Sequence, residues 1–335
     1  VKHISNEQIN IVLIVASIAF FFSCKKEEPL SLLTEPATFI TYHSADCGFK
    51  WSGNGSNFAE GGICYSDAPN PSYNDKKISV NTPTIASVSK IGIDNLEPDK
   101  KYFIRSFLIK FTGTAVDMIY GNEVEFTTLS FDETITFNPV LTYDTISDID
   151  GNIYKTIQIG NQIWMAENLG TTRLNDGTSM PQIIFNVMEE NYANPAYGWN
   201  GYYYESYKST FGNLYNWYAV NTGKLCPAGW HVPSDDEWET LISYLGGINV
   251  AGDQLKETGT THWDPPNAGS TNESGFTALP ALVPGSYSGW WSTTRINPEV
   301  FIKIWCYSIM NNYSMVMRFD ATAGTGLNVR CIKDN

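Results

Sequence analysis

Residues 225–238 read LCPAGWHVPSDDEW, and about ninety residues later the chain closes on Val329-Arg330-Cys331. A cysteine before a Pro-Ala-Gly turn, then a Trp-x-Val strand, then a serine opening a helix is a specific order of turn, strand and helix signals. The two segments read as the two ends of one closed domain, and Cys331 offers Cys226 a partner. No comparable signature for chemistry accompanies them, so architecture is more legible in this chain than ligand.

The local signals around that frame are consistent with it. Ser234 is placed to cap a helix and Glu237, three residues on, to complete a capping box; Trp238, Leu241, Ile242 and Leu245 then recur on one face until Gly246-Gly247. Upstream, apolar and polar residues alternate on both sides of Gly160-Asn161, which predicts a two-residue hairpin. Asp148, Asp150 and Asn152 have the spacing of calcium ligands, but no glutamate closes the coordination, so a turn held by Asx hydrogen bonds is expected. Leu214, Trp217 and Tyr218 fall at i, i+3 and i+4 and predict a short amphipathic helix over 211–220. From there to residue 335 the pattern is short strands and loops.

The first half is different. Segments 38–42, 47–51 and 62–65 are β-branched, aromatic or alternating runs punctuated by Gly, Asn and Pro, the pattern of a β-sandwich. Leu96-Glu97-Pro98, followed by Tyr102 at the head of a strand, has the order of a tyrosine corner, and 120–128 supplies a final strand. Cys47 and Cys64 sit on successive expected strands, as a pair or, preferably, as small buried hydrophobes. Residues 130–145 have little periodicity and are expected to be a linker.

The start of the chain sets the compartment. Lys2 and His3 precede an apolar run over 11–22, and Ser23-Cys24 follows. The run is too short for a bilayer-spanning helix, which needs about 20 residues, and has the plan of a secretory signal. A net charge of −14 argues against nucleic acid as a partner. Apart from Cys24, five cysteines remain, so at least one thiol is left over if the others pair.

Four resemblances sharpen these readings. Residues 1–24 resemble a bacterial lipoprotein signal, which implies lipidation of Cys24 and a membrane tether. Lys25-Lys26-Glu27-Glu28 looks like the surface-export signal of Bacteroidetes lipoproteins, and equally like a solvated tether. The segment from Thr34 through the tyrosine corner to Thr128 resembles a fibronectin type III domain, a module that most often serves as a spacer. The blocks DIDGNIYKTIQIGNQIWMAENL, FGNLYNWYAV, LCPAGWHVPSDDEWETLISYLGG, LKETGTTHW, NESGFTALP, WWSTT and NVRCI, in that order, resemble the Fibrobacter succinogenes major paralogous domain, or FISUMP. Membership implies a fold similar to the C-type-lectin and formylglycine-generating-enzyme group, a Cys226–Cys331 disulfide and Cys306 as a leftover core thiol. The expected organisation is a signal peptide at 1–23, lipidated cysteine and tether at 24–33, a mainly β sandwich at 34–129, a linker at 130–145 and an α+β FISUMP domain at 146–335.

No catalytic residues, cofactor or metal are expected. The formylglycine-generating relatives hold copper with two cysteines close in sequence, an arrangement that Cys306 and Cys331 do not reproduce. His231 and His262 each adjoin a tryptophan, and four histidines in the chain give no local cluster or triad, so structural hydrogen bonds are expected of both. Asn297-Pro298-Glu299 reverses the carbonyl-bearing triplet of calcium-dependent lectins and reads as a plain loop. The remaining candidate is aromatic: Tyr197, Trp199, Tyr202, Tyr203, Tyr204 and Tyr207 crowd a Gly- and Asn-rich stretch, either as a saccharide-binding face or as packing for a loop-rich core. The resulting expectation is a lipid-anchored outer-membrane protein facing the cell exterior that binds a glycan or surface protein. A degenerate formylglycine-generating-type enzyme and a structural envelope component stand as alternatives, and catalysis is left open with the balance against it.

Overall fold

The structure, a computed structural model, describes residues 29–53, 58–81, 87–112, 115–185, 192–200, 207–296 and 303–334. Cys24 and the apolar run before it, Tyr202, Tyr203, Tyr204 and Asn297-Pro298-Glu299 lie outside the described residues. Among those described, no helix is long and apolar enough to cross a membrane.

The chain is mainly β. Its first half forms β1 (Ser31–Thr34), β2 (Ala45–Ser52), β3 (Phe58–Ser66), β4 (Lys76–Asn81), β5 (Ser87–Ile93), β6 (Lys101–Thr112) and β7 (Ala115–Thr127). These make a three-stranded sheet, β1-β2-β5, and a four-stranded sheet, β4-β3-β6-β7. Phe49, Ile91 and Ile93 from the first sheet and Ile63, Ile104, Leu108 and Phe126 from the second share one buried core. Period-2 alternation points one face of each sheet at the other, and burial of those apolar faces holds the layers together. The Tyr102 hydroxyl accepts from the backbone N–H of Glu97 at 2.9 Å, the closure expected of a tyrosine corner. Cys47 and Cys64 are free and buried.

Two expectations fail here. Residues 38–42 are not a strand, because the Thr41 hydroxyl accepts from the N–H groups of His43 and Ser44 (3.2 and 2.9 Å) and turns the chain. The first strand, β1, begins at Ser31, inside the segment expected to be tether, and ends at Thr34.

The second half forms β8 (Asp144–Ser147), β9 (Ile153–Ile159), β10 (Gln162–Met165), β11 (Gln182–Phe185), β12 (Tyr197–Asn200), α1 (Lys208–Phe211), β13 (Leu214–Tyr215), α2 (Trp217–Val220), β14 (Trp230–His231), α3 (Asp235–Tyr244), α4 (Ala251–Leu255), β15 (Tyr287–Arg295), β16 (Lys303–Met310), β17 (Met317–Thr322) and β18 (Ile332–Lys333). A five-stranded sheet runs β14-β18-β10-β9-β8, so the last strand of the chain lies between strands formed much earlier. Two further sheets run β11-β12-β13 and β15-β16-β17. The β9–β10 hairpin turns at Gly160-Asn161 as expected, with Ile159 opposite Gln162. Gly160, at φ +60°, takes the first central position, where a type II′ turn requires positive φ.

The capping box of α3 forms: the Ser234 hydroxyl accepts from Glu237 N–H, and the Glu237 carboxylate accepts from Ser234 N–H at 2.7 Å. At the other end Gly247 N–H reaches Ile242 O and Gly246 N–H reaches Ser243 O, the paired bonds of a Schellman motif. The buried face of α3 carries Trp238, which stacks on Tyr307 at 5.1 Å and packs on Trp164 at 4.9 Å. Trp263, Phe276 and Trp290 complete this aromatic core. Each such ring removes about 150–250 Å² from water, which is how a domain with so little regular structure holds its shape. A second core surrounds the Cys226–Cys331 disulfide, whose Cα atoms are 6.0 Å apart. Cys306 is free and buried.

The helix expected over 211–220 does not form as one piece. Gly212 breaks it, Leu214–Tyr215 pair as β13, and α2 is a single turn capped by the Asn216 side chain, which accepts from Ala219 N–H. Edge pairing and a local cap outcompete the 3.6-residue periodicity.

His231 bridges two elements, with Nδ1 at 2.7 Å from Asp334 and Nε2 at 2.9 Å from Glu237. Burial works against its charge, but these hydrogen bonds outweigh that effect and raise the His231 pKa. A raised histidine contributes stability fully below the unfolded value of about 6.5 and loses it as pH climbs through the folded value. The stability difference between wild type and His231→Asn is therefore expected to shrink from about pH 6 to about pH 9. Because the ring is half exposed, the change should stay under about 1 kcal/mol. Urea midpoints measured across that range check this, and a constant difference would contradict it.

The expected linker is a docked strap. His262 Nε2 donates to Asp132 O at 2.8 Å, Glu257 Oε2 lies 2.7 Å from His262 Nδ1, and Thr136 N–H donates to Glu257 Oε1 at 2.6 Å. Asn138 donates to Asn272 O at 2.9 Å, and His43 lies 3.2 Å from Asp264 across the junction. His262 and Glu257 are fully buried, a pairing across 130 residues of separation from the strap that no local pattern announces.

Candidate functional site

A cleft of about 480 Å³ opens on one side of the second half of the chain. Its walls come from the β8–β9 turn, the segment after β10, β12 and α1, with Asp150, Glu167, Asn168, Tyr197, Lys208 and Asn213 among the lining residues. The site begins with a turn: Asp148 Oδ1 accepts from the N–H groups of Asp150 and Asn152 at 2.9 and 3.0 Å, the Asx arrangement expected in place of a calcium loop. Asp148 Oδ2 accepts from the Tyr154 hydroxyl at 2.6 Å, and that hydroxyl accepts from Gly170 N–H at 2.9 Å. Turn, strand and the segment after β10 are thus locked together.

Asp150 is engaged on both oxygens. Thr172 N–H and the hydroxyls of Thr171 and Thr172 donate to Oδ2, and Arg173 Nε donates to Oδ1. Burial would raise its pKa, but these donors hold it down at about 2. Asn168 forms the floor: its oxygen accepts from Trp290 Nε1 (2.9 Å) and Arg330 Nε (2.8 Å), and its amide donates to Phe211 O (2.9 Å). Gly212 lies against it at φ +71°, where an added Cβ would come within 2.7 Å of the Asn168 side chain. No L side chain fits that approach without displacing the floor.

Glu167 differs from Asp150. Its Oε2 accepts from Lys155 N–H at 2.5 Å, and no described residue donates to Oε1. Burial raises its pKa against the pull of Lys155 N–H and the buried Arg330. One cleft therefore holds an ionised carboxylate paired with Arg173 and a second carboxylate with one oxygen that no described residue pairs. Among the described residues no group of three His, Cys, Asp or Glu side chains is placed to hold a metal.

A family model described as the Fibrobacter succinogenes major domain matches residues 157–333. The chain belongs to that family. The matched span includes most of the cleft and both cysteines of the disulfide, while Asp150 and Asn152 precede it. No curated protein matches the chain. Among solved structures, the sensor domain of the anti-sigma factor RsgI4 of Pseudobacteroides cellulosolvens is similar at 22% identity, covering 31% of this chain and 98% of that one with a TM-score of 0.24. A solution structure of that sensor domain matches at 20% identity, covering 30% and 76%, with a TM-score of 0.25.

Within the Fibrobacter succinogenes major domain the aromatic candidates separate. Tyr197 lines the cleft, and Trp199, two residues along the same face of β12, lies 6.0 Å from the Lys208 ammonium. Tyr207 does not join them: it is buried, with ring centroids 4.3 Å from Phe131 and 6.0 Å from Tyr42, and serves the junction with the first half. Glu167, Asn168 and Asn213 escape the sequence reading, and Asp150 enters it only as part of a turn, because the four are spread over more than sixty positions. The signal that could have found two of them is the polar Glu167-Asn168 pair directly after the buried Trp164-Met165-Ala166.

Proposed function

We propose that this protein is a lipid-anchored outer-membrane protein, held through Cys24 and facing the cell exterior. In this reading a fibronectin type III-like sandwich carries a C-type-lectin-like domain that binds a glycan without catalysis. The three-plus-four strand order and the Tyr102 closure support the sandwich assignment. The disulfide tying Cys226, in the middle of an irregular, aromatic-filled body, to Cys331 at its end supports the lectin-like one. The apolar run ending at Ser23-Cys24 supports the anchor.

The observation that carries the binding reading is the cleft itself. Tyr197 offers an aromatic face beside amides, a carboxylate and an ammonium, the mixture that suits the C–H faces and hydroxyls of a sugar. The test is a glycan array probed with the soluble chain from Glu27 onward. A saccharide is expected to be retained, and Tyr197→Ala should weaken it about tenfold, the scale of one lost aromatic contact with its buried area. Retention of no saccharide, or retention indifferent to Tyr197→Ala with the fold intact, would remove the proposal.

A further inference from the structure

We propose that Glu167 sets the ligand class of the cleft: an uncharged, hydroxyl-rich saccharide whose hydroxyls donate to the unpaired Glu167 Oε1, to the exclusion of uronates and other anionic sugars. The inference rests on the glycan reading above and deepens it.

Three observations lead there. The other carboxylate of the cleft, Asp150, already accepts on both oxygens and has its charge paired by the Arg173 guanidinium. The floor residue Asn168 has its amide oxygen and its amide nitrogen committed to Trp290, Arg330 and Phe211. Tyr154 both donates and accepts within the frame. Of these groups, the acceptor that no described residue pairs is Glu167 Oε1, on a residue that lines the cleft and is held by the Lys155 N–H on its other oxygen. An acceptor fixed in a partly dehydrated wall pairs with a hydroxyl donor and repels a carboxylate. Lys208 is the cation among the described residues lining the cleft, and were it in control, anionic sugars would be preferred.

Glu167→Gln separates these cases by chemistry. The Lys155 N–H must still find an oxygen, so the glutamine carbonyl takes the place of Oε2 and its NH2 group turns to the cleft. An acceptor becomes a donor in the same volume. Binding of neutral tetrasaccharides (gluco-, manno- and galacto-series) and of tetragalacturonate to the chain from Glu27 is measured by calorimetry for wild type, Glu167→Gln and Tyr197→Ala. The expected result is a neutral tetrasaccharide bound by wild type, weakened about tenfold or more in Glu167→Gln, with tetragalacturonate bound only by that variant. A saccharide that Tyr197→Ala weakens but Glu167→Gln leaves unchanged, or a wild-type preference for tetragalacturonate, overturns the role of Glu167 and leaves the glycan reading standing. Binding of no saccharide by wild type overturns both.

Discussion

The Cys226→Ala/Cys331→Ala double variant is expected to lose about 4 to 5 kcal/mol of folding stability, the chain-entropy value for opening a loop of about a hundred residues. The bonded cysteines are 105 residues apart, and both are buried, at 2% and 0% exposure. The loop they close contains β14, the helices α3 and α4 and the whole β15-β16-β17 sheet, so cross-linking it restricts the unfolded chain more than most single bridges would. Typical domains are stable by about 5–15 kcal/mol, which makes this loss about a quarter or more of the total. Guanidinium denaturation followed by tryptophan fluorescence, with and without reductant, measures it. Wild type under reductant should fall to the midpoint of the double variant. Coincident midpoints for oxidised wild type and double variant would show that the bridge contributes nothing.

Arg330→Met is expected to cost about 3 to 5 kcal/mol, the scale of leaving a buried polar network without its cation. The guanidinium is 1% exposed and donates to Asn168 Oδ1, to Thr277 O at 3.0 Å, to Met165 O and to Phe276 O, while lying 4.2 Å over the Phe276 ring. Burial draws its pKa down to about 9, so it remains charged at neutral pH. A methionine fills much of the volume but leaves those oxygens facing an apolar group. Arg330→Lys should recover little, because one ammonium cannot reach acceptors arranged around a planar fork. Thermal and chemical denaturation of both variants checks this, and a loss below about 1 kcal/mol would show that the oxygens find other donors. Because Asn168 is also the cleft floor, either variant should disturb ligand retention beyond its effect on stability.

The elements legible in the sequence are those whose determinants are neighbours along the chain. The α3 capping box needs Ser234 and Glu237, the β9–β10 turn needs Gly160-Asn161, and the tyrosine corner needs Glu97 and Tyr102. Where periodicity competed with other local chemistry it misled. The 211–220 pattern counted Leu214 and Trp217 on one helical face, but Gly212 and the Asn216 cap divide that face between β13 and α2. The calcium-like spacing of Asp148, Asp150 and Asn152 was resolved correctly as an Asx turn, since Asp148 alone supplies the closing acceptor.

The candidate site was only partly legible for the same reason. A crowd of aromatic residues marks a region but not the side on which each ring falls. Tyr197 reaches the cleft, whereas Tyr207, ten positions later, is drawn into the junction by Phe131 and Tyr42 from distant segments. The strap over 130–145 read as a linker because its anchors, Glu257 and His262, lie more than a hundred residues away.

The sequence by itself determined the family of residues 157–333, the capped helix and the hairpin, because each is encoded by residue types at short, fixed spacings or by blocks in a fixed order. The fold alone sets which carboxylate of the cleft has its charge paired and which keeps an oxygen that no described residue pairs. That distinction depends on donors at 155, 171, 172 and 173 converging through strand pairing and turn closure, a geometry that no spacing along the chain specifies.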